Sequence, residues 1–122
     1  MNVLLVMVGG IAGALARVVL DSLLMQRLRP RWPLGTFSIN VTGSLLLGLV
    51  TGLSLTHGLP AAFRLLVGVG FCGAYTTFST AAFEVVTLAR DRRHTVATAY
   101  AIGGCLASLT AAALGLVVTG GL

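Results

Sequence analysis

Polar residues recur at helical spacing inside otherwise apolar stretches of this chain. Thr36, Asn40, Ser44, Gly48, Gly52 and Thr56 fall four apart, and Tyr100, Gly104, Ser108 and Ala112 repeat the interval later. Thr76, Thr80, Phe83 and Thr87 share a third face, with Ser79 beside them. Side chains three or four apart stack on one side of a helix. A row of hydroxyls in an apolar setting can pass an ion from one hydrogen bond to the next without trapping it. The Gly and Ala positions read as packing seams. Asn40 has two N–H donors and a carbonyl to satisfy, so it either ties helices together or faces a wet path. His57 and His94 have no partners at metal-ligand spacing, and no nucleophile, base or carboxylate pair forms a catalytic constellation.

The elements that must hold these faces follow from composition. Of 122 residues, 57% are hydrophobic and 9% charged, with a mean hydropathy of +1.00. Soluble domains carry roughly 25% charged residues. The formal charge of +5 comes from eight basic residues, all Arg. They sit mainly between apolar runs and form no continuous basic face, which excludes a nucleic-acid binder. At about 20 apolar residues per crossing, the chain reads as an all-α integral membrane protein. A single membrane domain, 1–122, carries four spans of about 3–24, 34–56, 61–89 and 95–119. The first run lacks a basic n-region and is long for a signal peptide, so it reads as a retained span. Cys72 and Cys105 fall within spans as small packing residues.

Two further features need explanation. The third run, at about 1.5 Å per residue, would make a helix longer than the bilayer requires. The segment Gly70 to Thr80 places glycines where one helix can end and hydroxyls where another can begin. It reads as two half-helices joined near the midplane, with freed carbonyls suited to a cation. Glu84, close to the cluster Arg90, Arg92 and Arg93, is expected to pair with an Arg, and Arg17 with Asp21 one turn away. Arginine also sets orientation. Arg27, Arg29, Arg31, Arg90, Arg92 and Arg93 flank the first and third loops, against Arg64 alone on the opposite side. That distribution places both termini outside.

Three segments carry a resemblance: Gly-Gly-Ile-Ala-Gly-Ala-Leu-Ala-Arg at 9–17, Pro-Leu-Gly-Thr-Phe-Ser-Ile-Asn-Val-Thr-Gly at 33–43, and Gly-Phe-Cys-Gly-Ala-Tyr-Thr-Thr-Phe-Ser-Thr at 70–80, followed by Glu84. In order and spacing they resemble the Fluc/CrcB fluoride channels across essentially the whole chain. The resemblance implies an antiparallel dimer of four-helix subunits with two narrow pores. It implies passive fluoride export across the cell inner (plasma) membrane, protecting against fluoride toxicity, without enzymatic turnover. By position, Asn40 is then the pore amide and Phe78 the first ring of a phenylalanine box. Ser79 and Thr80 belong to the third-helix polar track, Tyr100 and Ser108 supply fourth-helix hydroxyls, and Arg17 stands at the vestibule. A structural sodium ion, not transported, is implied on backbone oxygens of Gly73 and Thr76.

Two departures stand out. The second box position holds Ala81, and Phe83 lies about 200° further around the helix. The six-to-one arginine asymmetry disfavours a subunit inserting both ways. The partner is therefore a second copy or an opposite-topology paralogue. The alternative reading is a small proton-coupled multidrug exporter, which needs a carboxylate near the centre of its first span. Asp21 lies near the end of that span instead.

Overall fold

The structure is a computed structural model that describes all 122 residues, and it is all helical. Helix α1 covers Asn2–Leu28 and α2 covers Leu34–His57. Helix α3 runs over residues 61–75, α4 over Phe78–Arg90 and α5 over His94–Val118. Four segments are long and apolar enough to cross a membrane, with α3 and α4 together forming the third, Ala61–Arg90. The chain is thus a multi-pass membrane protein with the four spans expected. Its first helix continues past the expected end, through Arg27, before Arg29 stops it at a left-handed φ of 44°. Gly58, at φ 62°, ends α2 in the same way, the conformation that glycine adopts at no steric cost.

Helix α1 packs on α3, and α2 on α5. Both seams rest on glycine. A Cβ at Gly13 would run into the Phe71 carbonyl of α3, and one at Gly115 would lie 2.6 Å from the Leu49 amide nitrogen of α2. The expected small-residue positions Gly9, Gly13 and Gly48 are therefore close backbone approaches, while Gly52 makes room for the Thr119 side chain. In lipid such packing takes the place of a hydrophobic drive between helices. Leu4, Ile11, Leu15 and Val18 of α1 remain exposed, as suits a surface that faces acyl chains. The stretch Arg64–Cys72 of α3 is π-wound, and it contains Leu66, Gly70 and Phe71, the residues that α1 approaches most closely.

The third span breaks about halfway along its length. Thr76 (φ −78°, ψ 156°) and Thr77 (φ −149°, ψ 123°) are extended between two helices. The break falls later than the glycines alone indicate, for Gly73 is helical at φ −62°. The helix ends where side chains capture its backbone, and glycine only makes room. At Gly43 of α2, the space of the missing Cβ is filled by Thr76 Cγ2, with Tyr75 Cδ1 at 3.0 Å. This lets the break lie directly against α2.

Candidate functional site: the break in the third span

Asn40 projects from α2 onto the break. Its Nδ2 donates to the Thr77 carbonyl at 2.9 Å, and its Oδ1 accepts from the Thr77 amide at 2.8 Å. One side chain thus partners both backbone groups of a residue that no helix serves. Without them, buried backbone groups in an apolar medium would cost several kcal/mol. Of the two uses open to Asn40, the structure shows the tie between helices.

The same hydrogen bonds decide which carbonyls stay free. The Cys72 carbonyl accepts from the Thr76 amide at 3.0 Å and from Thr76 Oγ1 at 2.9 Å. Gly73 would normally receive the amide four residues on, that of Thr77, but Asn40 has taken it. Thr76 would receive the amide of Thr80, but that donates to Thr77 Oγ1 at 3.2 Å, capping α4. The carbonyls of Gly73 and Thr76 have therefore each lost their helical donor. Nothing lies within 4 Å of the Cβ position of Gly73, which is exposed.

Beyond the break, hydroxyls cluster at the start of α4. Thr77 Oγ1 donates to Thr80 Oγ1 at 3.1 Å and lies 3.5 Å from Ser79 Oγ. Ser79 and Thr80 are exposed together with Phe78, which is 88% exposed. Ala81 faces the other way, packed against the buried cluster of Leu88, Ala97 and Tyr100, while Phe83 is turned outward. Phe83 thus does not occupy the place that Ala81 leaves.

Further along the same span is a second polar group. Thr36 Oγ1 donates to Glu84 Oε1 and Tyr100 OH donates to Glu84 Oε2, each at 2.9 Å. The arginine partner expected for Glu84 is replaced by two hydroxyls from α2 and α5. Both reach it because Thr36 stands one turn before Asn40 on α2, and Tyr100 heads the polar face of α5. Tyr100 is buried, with Trp32 edge-on at a centroid distance of 6.3 Å. Its hydroxyl is therefore committed to Glu84. Asp21 sets its carboxylate against Gly35 at the start of α2, and Arg17 is half-buried on α1. Ser108 is half-buried on α5.

The structure brings Asn40, Ser79, Thr80 and Phe78 to one neighbourhood and ties Tyr100 to Glu84. Thr77, which organises both the clamp and the cap, was not among the sequence candidates. Its signal was its position, directly before the hydroxyls of a new helix. No group of three or more His, Cys, Asp or Glu side chains is placed to hold a metal.

Comparison with known proteins agrees with these motifs. Residues 4–116 match the family described as CrcB-like protein, Camphor Resistance (CrcB). The chain is 51% identical over 118 residues to a protein of Leifsonia xyli subsp. xyli named fluoride-specific ion channel FluC 1, covering 97% of this chain and 86% of that one. It is 49% identical over 115 residues to the FluC 2 fluoride-specific ion channel of Moorella thermoacetica, covering 93% of each. A third relative, the FluC 2 fluoride-specific ion channel of Cutibacterium acnes, is 43% identical over 119 residues, covering 97% of each chain. With its clamped break, its three motifs and these matches over nearly its whole length, the chain belongs to the CrcB family.

Proposed function

We propose that this protein is a fluoride-selective ion channel that lowers cytoplasmic fluoride by passive export through the cell inner membrane. The observation that carries the reading is the exposed cluster at the start of α4, where Ser79, Thr80 and the Phe78 ring stand together. Fluoride holds its water tightly, so a pore must offer replacement donors. Hydroxyls do this directly, and an aromatic edge presents the positive side of its quadrupole. No Arg falls within this cluster, and a fixed cation there would hold fluoride too firmly to release it. Asn40 contributes by holding the cluster in place, with its second Nδ2 hydrogen still free to donate. Ser108 extends the donor set along α5, Tyr100 gives its one O–H to Glu84 and so holds α5 against α4, and Arg17 serves the vestibule.

The working form is an antiparallel dimer. Phe78, Ser79 and Thr80 face outward from the subunit, so a second subunit is needed to enclose a path. Ala81 in the second box position and the six-to-one arginine asymmetry favour an oppositely inserted paralogue over a second copy. The freed carbonyls of Gly73 and Thr76 suit a structural sodium ion at the dimer centre, being neutral, hard oxygen donors. When bound there, sodium would supply a fixed positive charge between the subunits. Fluoride efflux from liposomes tests the reading: the protein alone reports a homodimer, and the protein with its paralogue reports a heterodimer.

A further inference from the structure

Tyr75 is the last residue of α3 and is 7% exposed. Its hydroxyl lies 2.9 Å from Thr42 Oγ1 on α2. Thr42 spends its own proton on the Ser38 carbonyl at 2.7 Å, so Tyr75 is the donor and Thr42 the acceptor. The Tyr75 ring stacks on Phe71 at a centroid distance of 5.3 Å and an interplanar angle of 22°. Its Cδ1 and Cε1 lie 3.0 and 3.4 Å from where a Cβ would stand at Gly43. The break therefore has two anchors on α2. Asn40 fixes the peptide just after Thr76, and Thr42 fixes the side chain just before it.

We infer that the Tyr75–Thr42 hydrogen bond is a positioning contact for the carbonyls of Gly73 and Thr76, and that it sets how tightly they hold a cation. The inference rests on the sodium reading above. The last turn of any helix lacks donors for its carbonyls and frays readily. Here the fraying turn is the one that carries the freed oxygens. Asn40 alone would leave Tyr75 able to swing, and with it the direction of both carbonyls. The ring's contacts with Phe71 and Gly43 restrain the swing, and the hydroxyl removes the remaining rotation. Tyr75 need not touch the ion to do this.

The test uses the full-length protein in detergent, with thermal unfolding followed as N-methylglucamine is replaced by sodium. In the wild type, sodium raises the melting temperature with a definable half-effect concentration. Tyr75→Phe, which keeps the ring, raises that concentration about three- to tenfold, the scale of one hydrogen bond. Thr42→Val does the same, and the double variant is no worse than either single one, because they remove one contact. The melting temperature without sodium changes little in Tyr75→Phe. An unchanged half-effect concentration in both single variants would overturn the positioning role. A wild-type melting temperature indifferent to sodium would instead overturn the sodium reading on which it rests.

Discussion

Asn40 and Thr77, 37 residues apart, are joined by two hydrogen bonds of 2.8 and 2.9 Å that run in opposite senses. The carboxamide imitates a neighbouring strand for one residue. That pairing ends one helix, frees the Gly73 carbonyl and places Thr77 to cap the next.

Asn40→Ala leaves an amide and a carbonyl without partners, and the expected loss of stability is about 1–3 kcal/mol. Asn40→Asp keeps the acceptor but loses the donor and sets a carboxylate against the Thr77 carbonyl, so it is expected to be at least as harmful. Unfolding in graded SDS or urea, read against the wild type, checks both. An Asn40→Ala protein as stable as wild type would show that the clamp contributes nothing.

The Thr36–Glu84–Tyr100 group is expected to behave as one unit. Tyr100→Phe and Thr36→Val each remove one hydrogen bond at about 0.5–1.5 kcal/mol, whereas Glu84→Ala leaves both hydroxyls unpartnered and costs more than either. A double-mutant cycle between Tyr100→Phe and Glu84→Ala is expected to give a coupling of about 0.5–3 kcal/mol. Additive effects would mean that the bonds do not hold in the membrane.

Gly48→Ala and Gly103→Ala are the same change in one protein and are expected to differ in outcome. A methyl at Gly48 meets the Ala112 carbonyl across the α2–α5 seam, while nothing lies within 4 Å of the corresponding position at Gly103. The first is expected to cost about 1–3 kcal/mol as an overpacked contact. The second is expected to be neutral or to gain up to about 1 kcal/mol of helix propensity. Equal effects would contradict the packing described.

Phe78→Ala separates function from folding. A residue that is 88% exposed contributes little to the subunit, so subunit stability in detergent is expected to stay within about 0.5 kcal/mol of wild type. Fluoride flux is expected to fall at least tenfold. Unchanged flux would remove Phe78 from the ion path.

Much of this arrangement is legible in the sequence because the membrane allows few solutions. Four apolar runs with loops marked by Arg, Pro and Gly could only be spans, and the glycines spaced by four proved to be helix seams. The break was legible as an interruption but not to the residue. Gly70 and Gly73 signal it through backbone freedom, yet the structure places it at Thr76 and Thr77, where Asn40 arrives from a helix more than thirty residues away. Glu84 shows the same limit. Its nearness to Arg90 along the chain suggests an ion pair, but helix packing carries Thr36 and Tyr100 to it instead. Local spacing identifies the polar residues that need partners, and only the packing of α2 and α5 around α4 chooses them.

A fluoride path through the outward cluster at the break is open to measurement. Its most direct measurement is ion efflux from liposomes holding the purified protein, alone and with an oppositely inserted paralogue, in fluoride and in chloride. Rapid fluoride efflux is expected in at least one of the two preparations, with little chloride efflux in either and loss of fluoride efflux with Phe78→Ala. Absence of fluoride efflux in both preparations, or chloride efflux as fast as fluoride, would contradict it.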